Sequence, residues 1–259
     1  MGIVNVTPDS FFSESRTLVA NDAIDRGRAH FDAGCDIVDV GGESTRPGAS
    51  PVRADEEIAR VVPVIEALST YGPVSVDTQK ESVARAAVAA GAVVLNDVSS
   101  TLVDVAGDLG VGYVAMHRRG DSATMQLNPT YGDVVAEIAE FLVQMAKRAR
   151  SAGVTRLWLD PGIGFGKTTQ HNIAIVAHIS HFVELAGHHH AGVLLGTSRK
   201  RFLGDFGGEL LDADERLEGS VATEAWALLQ GVSMVRVHDA AAAVQLRELL
   251  VRPVEEVVA

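Results

Sequence analysis

Short apolar runs rich in Val and Ile recur along the chain, and between them apolar residues return every three or four positions. The runs are 2–7 (GIVNVT), 36–42 (DIVDVGG), 74–78 (VSVDT), 93–99 (VVLNDVS), 112–117 (GYVAMH), 157–162 (LWLDPG), 193–198 (VLLGTS) and 234–239 (MVRVHD), eight in all. Near-continuous apolarity over so few residues fits strands buried on both faces. The segments between them, such as 80–91 and 133–153, carry apolar residues at i, i+3, i+4 and i+7 and end in glycine, as amphipathic helices do. Strands alternating with such helices predict a parallel sheet covered by helices. Eight units in 259 residues predict an α/β fold of the (β/α)8 TIM barrel type, one domain over 1–259, with a doubly wound open sheet as the alternative. The Gly- and Asp-rich segment 203–215, after the seventh run, reads as an active-site loop.

Polar residues fall at the ends of these runs. Asn5, Asp39, Asp77, Asn96, His117, Asp160, Ser198 and the pair Arg236/His238 close the eight in order. In a barrel, strand C-termini and the loops after them form the active-site face. A single Asp or Asn at such a position could be a helix cap. Eight consecutive strand ends, with Asp77, Asn96 and Asp160 still inside apolar sequence, predict a functional mouth instead. Asp77, Asn96 and Asp160 offer carboxylates and an amide suited to the donor-rich edge of a flat heterocycle. Arg46, Arg199, Lys200, Arg236 and His238 add cations near the second, seventh and eighth loops, the last two being a frequent phosphate site in barrels. A ring bearing an anionic group is the implied ligand.

Composition narrows the partners. The 47% apolar and 22% charged residues allow a large core. A net charge of −12 argues against nucleic acid or an anionic membrane as partner, though not against an anionic small molecule. No apolar run approaches the roughly 18 residues of a membrane span, and MGIVNVTPDS has no basic n-region of a signal peptide, so a cytoplasmic location is expected. The one cysteine, Cys35, excludes a disulfide framework and reads as a structural thiol. Trp158 and Trp226 fall in apolar patterns and are expected in the core, and the 187–190 GHHH tract in a solvated loop on the face opposite the mouth.

The tripeptide Gly166-Lys167-Thr168 resembles the end of a nucleotide-binding G-x-x-x-x-G-K-[ST] loop. Five positions before Gly166 stands Pro161, which lacks both the conformational freedom of the opening glycine and an N–H donor. Lys167 and Thr168 are therefore expected to be loop and helix-entry residues, and His171 a first-turn or capping neighbour.

Taken in order, MGIVNVTPDSF, DVGGESTRPGA, SVDTQK, LNDVSS, MH, LDPGIGFGKTTQHN, GTSRKRFLG and MVRVHD resemble a dihydropteroate synthase from residue 1 to about 250, with segments at all eight strand ends. The resemblance departs in the first loop, FFSESRTL, where the family often has an aspartate–glycine pair. It implies that 6-hydroxymethyl-7,8-dihydropterin diphosphate is condensed with p-aminobenzoate in folate biosynthesis. It further implies that Asp77, Asn96, Asp160 and Lys200 hold the pterin, with Met116, Phe165 and Gly196 lining its slot. Thr45, Arg46 and Pro47, with Ser198, would form the aminobenzoate site. Arg236 and His238 would grip the diphosphate, Asn5 would help hold Mg²⁺ upon it, and Asp77, Lys200 and Arg236 would carry the chemistry. Relatives in this family are usually homodimers. A methyltetrahydrofolate methyltransferase uses a similar barrel but has no need of the STRPG loop, the SRK run or the Arg/His pair. A pterin-binding paralogue without activity is the other alternative, disfavoured because Asn5, Arg46, Asp77, Lys200 and Arg236 are all present.

Overall fold

The computed structural model describes residues 1–6, 13–44, 50–121, 124–206 and 209–250. Eight parallel strands and the helices between them form a (β/α)8 barrel. Its elements begin β1 (Gly2–Asn5), α1 (Ser13–Asp32), β2 (Val38–Gly41), α2 (Ala54–Leu68), β3 (Val74–Asp77), α3 (Glu81–Ala89), β4 (Ala92–Asp97), α4 (Val103–Leu109) and β5 (Gly112–Met116). They continue α5 (Val134–Ser151), β6 (Leu157–Asp160), α6 (Thr169–Ala177), α7 (Ile179–His188) and β7 (Gly192–Leu195). A short antiparallel hairpin, β8 (Asp205–Phe206) with β9 (Glu209–Leu210), precedes α8 (Leu217–Leu229), β10 (Met234–Val235) and α9 (Ala240–Leu250). The sheet runs β1 to β7 and then β10. It closes where Val237 O accepts from Ile3 N and Val237 N donates to Met1 O, both at 2.9 Å.

The sequence pattern explains the local structure. The strands are short because each crosses one buried layer. The Val, Leu and Ile residues facing outward pack under the helices, around Val40, Ile65, Leu95, Tyr113, Leu142 and Phe182. α5 starts where the Asp133 carboxylate accepts from Val135 N and Ala136 N, and α4 stops at Gly110, left-handed with φ 66°. The barrel interior is stratified: an apolar plug of Met1, Ile37, Val94, Val114 and Leu194, joined by Trp158 and Met234, fills the N-terminal end. Above it the inward positions turn polar.

Several expectations change here. Part of the supposed first loop, from Ser13 onward, is the start of α1. The 203–215 segment is folded, with 3-10 turns at Arg201–Gly204 and Ala213–Arg216 around the hairpin. Trp226 is 43% exposed rather than core, its indole N–H donating to Val176 O at 2.9 Å. Lys167 is in a loop as expected, but its side chain is buried at 3% exposure. The residues 187–190 end α7 and lead into the N-terminal end of β7, opposite the mouth, with His188 and His190 exposed.

Candidate active site

Side chains alternate between the two faces of each parallel strand, and the inward set carries Asp39 (β2), Ser75 and Asp77 (β3) and Asn96 (β4) into one buried polar layer. Register makes them neighbours: Asp39 lies beside Ser75 and Asp77 beside Asn96. Arg236, just past β10, spans the layer. Its Nε donates to Asp39 Oδ2 at 2.7 Å and its Nη2 to Asp77 Oδ2 at 2.9 Å, while Asn96 Nδ2 also donates to Asp39 Oδ2 at 2.9 Å. Burial works against the charge on Arg236, but Asp39 and Asp77 hold its pKa above the ordinary guanidinium value. Burial raises Asp77 above the carboxylate range; Arg236 opposes this, while Asp39, Glu57 and Asp97 add to it. Asp39 Oδ1, Ser75 Oγ and Asp77 Oδ1 are buried without a hydrogen-bond partner among the described residues. Such acceptors are costly to leave unmet, so the layer is built to receive donors.

The opposite wall comes from β5, β6 and β7. Asp160 ends β6 and its Oδ1 accepts from Gly162 N at 2.7 Å; burial raises its pKa and Lys200 opposes the rise. The exit loop then runs through Gly162, Gly164 and Gly166, all left-handed with φ of 71°, 82° and 67°. A side chain at Gly162 would overlap the His117 carbonyl, and one at Gly166 the Arg119 carbonyl, so glycine is required at both. Lys200 Nζ reaches back to donate to Ile163 O at 2.5 Å and lies 4.9 Å from the centre of the Phe165 ring. Burial draws the Lys200 pKa down to about 8, with Asp160 and Asp77 opposing and Arg236 assisting. Gly196 keeps this corner open: a Cβ there would stand 3.8 Å from both Lys200 Nζ and Arg236 Cβ. Met116 is buried at the end of β5.

At the β7 and β10 exits, Ser198 Oγ accepts from His238 N at 3.1 Å and lies 3.2 Å from His238 Nδ1. Arg199 is held in the left-handed region, φ 56°, by both oxygens of Asp239 (2.9 and 2.7 Å) and by Asp214 (2.7 Å). That cation, expected at the mouth for an anion, is neutralised internally. Asn5 ends β1, exposed, at the same rim. The structure thus brings Asn5, Asp77, Asn96, Met116, Asp160, Phe165, Gly196, Ser198, Lys200, Arg236 and His238 to one end of the barrel. Thr45, Arg46 and Pro47 lie outside the described residues.

Two residues gain weight over the sequence reading. Asp39 was a strand end without a role, yet it takes both Arg236 and Asn96. The signal was parity: Ile37, Asp39 and Gly41 share the inward face of β2. Lys167 gave no such signal, because its partners stand on another loop and on the backbone. It lies 3.0 Å from His117 Nδ1. His117 is buried, its ring edge-on to Phe141 at 5.1 Å, and burial with the nearby Lys167 and Arg119 pulls its pKa to about 3. His171 caps α6: its backbone N–H donates to Thr168 Oγ1 and its ring accepts from Thr168 N.

Residues 1–238, which include all of these positions but Asp239, match the pattern of the Pterin binding enzyme family. The chain belongs to that family. Within it, the chain is 40% identical over 249 residues to the dihydropteroate synthase of Escherichia coli K12, covering 92% of this chain and 86% of that one. The structure of Xanthomonas albilineans dihydropteroate synthase with 4-aminobenzoic acid superposes with a TM-score of 0.87 at 43% identity, covering 100% of this chain and 92% of that one. A Yersinia pestis enzyme structure with a pterine-sulfa conjugate gives 0.83 at 34% identity, over 96% and 91% of the two chains. The polar layer is therefore the mouth of a pterin-binding barrel.

Proposed function

We propose that this chain is a transferase that condenses 6-hydroxymethyl-7,8-dihydropterin diphosphate with p-aminobenzoate, giving 7,8-dihydropteroate and diphosphate in folate biosynthesis. The observation that carries the reading is the pair of buried carboxylate oxygens, Asp39 Oδ1 and Asp77 Oδ1, left without hydrogen-bond partners among the described residues beside the similarly unmet Ser75 Oγ. The amino and ring N–H groups of a pterin supply the donors such acceptors lack. The 4-aminobenzoic acid of the Xanthomonas relative and the pterine-sulfa conjugate of the Yersinia one support the two substrate classes.

In this reading Asp77, Asn96, Asp160 and Lys200 hold the ring, with Met116, Phe165 and Gly196 along its faces. Thr45, Arg46, Pro47 and Ser198 form the aminobenzoate side. Arg236 uses Nε and Nη2 on the two aspartates, and in this reading its Nη1 grips the diphosphate alongside His238. The C–O bond to the diphosphate breaks, leaving a methylene cation conjugated to the pterin. The Asp77 carboxylate stabilises that cation, and Arg236 the departing anion. The arylamine nitrogen then attacks the carbon and loses a proton.

Among the described residues no group of three or more His, Cys, Asp or Glu could hold a metal ion. A lone amide oxygen on Asn5 suits Mg²⁺ that arrives largely on substrate phosphates, as Mg²⁺ keeps waters and takes few protein ligands. There it would neutralise charge on the leaving group. We further read the protein as a cytoplasmic homodimer. In support, Ile173 on α6 and Trp226 and Leu229 on α8 are exposed apolar groups, and the Trp226–Val176 hydrogen bond ties these helices together.

Complementation tests the activity. Expression in a bacterial strain lacking its own dihydropteroate synthase is expected to restore growth without added thymidine. Failure to do so, with the protein folded and expressed, would favour a methyltransferase-like enzyme or a paralogue without activity.

A further inference from the structure

Lys167 is a buried lysine with no carboxylate in direct ion-pair contact among the described residues; the Asp160 carboxylate favours its charge only through space. Its Nζ lies 3.0 Å from His117 Nδ1, 3.3 Å from His117 O and 3.1 Å from Phe165 O. An ammonium has three donors, and these three acceptors use them all. The group is therefore closed to a ligand and cannot act on one directly. Its burial opposes its charge, so a purely space-filling role would be served better by an apolar side chain.

The bonds join two strand exits. His117 follows β5, and its backbone N–H already donates to Asp160 O at 2.9 Å. Phe165 stands midway along the β6 exit, between the left-handed Gly164 and Gly166 and two residues after Ile163, which is buried in the core. On the mouth side that loop is held by Lys200, through Ile163 O and the face of Phe165. On the inner side Lys167 holds it through Phe165 O. The His117 ring is in turn packed on Phe141 of α5, giving the clamp a fixed anchor.

From this geometry we infer that Lys167 is a positioning residue: by tying the Phe165 carbonyl to His117 it fixes the Phe165 wall of the ring slot beside Asp160. The inference rests on the pterin-binding role of that slot. It assigns to Lys167 an effect on one substrate, not on the reaction in general.

The test uses Lys167→Met, which keeps the chain length and removes the donors. Binding of 6-hydroxymethylpterin is measured by calorimetry, and KM for p-aminobenzoate and kcat by product formation. The expected result is a rise of at least tenfold in the pterin Kd, with the p-aminobenzoate KM and kcat within threefold of wild type. An unchanged pterin Kd overturns the inference, as does an equal decline in all three quantities. If Lys167→Met does not fold, Lys167→Gln, which retains part of the donor set, carries the same comparison. Failure of both to fold marks the lysine as a general structural group and also overturns it. Wild-type protein that does not bind the pterin refutes the reading of the slot itself, an outcome separate from normal pterin binding by the variants.

Discussion

Arg236 holds two buried carboxylates apart and neutralises both, so its removal affects stability and binding in different ways. Replacing it by Met leaves Asp39 and Asp77 uncompensated, a loss of about 3–5 kcal/mol for a broken buried pair. The pH dependence has a definite sign. The folded-state pKa of Asp77 is raised above its unfolded value, mainly by burial. A raised carboxylate contributes most below its unfolded pKa and loses that contribution as pH rises through the folded one. Without Arg236 the folded pKa rises further, so the deficit of Arg236→Met should be largest near neutrality and shrink toward pH 4, as urea midpoints across that range would show. Binding gives an independent reading. Arg236→Met is expected to weaken the pterin diphosphate more than bare 6-hydroxymethylpterin, and equal losses would count against a role on the diphosphate.

At the scale of the element, the β6 exit depends on backbone shape more than on side chains. Gly110 and Gly162 share nearly the same left-handed φ, 66° and 71°, but differ in surroundings. A Cβ at Gly110 meets nothing within 4 Å, whereas one at Gly162 overlaps the His117 carbonyl. Gly110→Ala should therefore cost only the conformational term, roughly 1–2 kcal/mol. Gly162→Ala must in addition displace the β5 exit, and is expected to lower the melting temperature further and abolish pterin binding. Similar losses for the two variants would contradict the close approach.

α8 offers a separate test. Glu224 is buried at 3% exposure, and burial, with help from Asp239, pushes its pKa up to about 8 against a weak opposing effect of the N-terminal amine. Stability from this group is present at low pH and lost as pH rises from about 4.5 through about 8. Glu224→Gln removes the need to take up a proton, worth on the order of 3 kcal/mol at pH 7. The advantage of the variant in thermal unfolding should grow from pH 5 to pH 8; a constant difference would contradict the buried carboxyl.

The order and type of the barrel strands were legible because buried parallel strands are short, apolar and punctuated by helices, a pattern local to each segment. The polar strand ends were legible for the same reason: Asp77 and Asp160 stand out against Val, Leu and Trp. What local pattern does not carry is partnership across the barrel. Nothing near Asp39 announces Arg236, 197 positions later, and nothing near Lys167 announces His117. Arg199 looked like a free cation because Asp214 and Asp239 reach it only through the fold. Trp226 looked like core because α8 is apolar on more than its inner face.

Across the whole molecule, the interior is an apolar plug capped by a charged layer that only the C-terminal end of the barrel can present. The plug fixes the strands, the strands fix Asp39, Asp77, Asn96 and Asp160, and the exit loops bring Lys200 and Arg236 over them. Folding thus bears the cost of assembling unmet acceptors before any substrate arrives, which favours binding of a ring that supplies donors. The most direct measurement follows from that. Purified protein is incubated with 6-hydroxymethyl-7,8-dihydropterin diphosphate, labelled p-aminobenzoate and Mg²⁺. Labelled dihydropteroate should appear with one diphosphate released per molecule formed, and a protein that binds the pterin yet yields no labelled product would contradict the account.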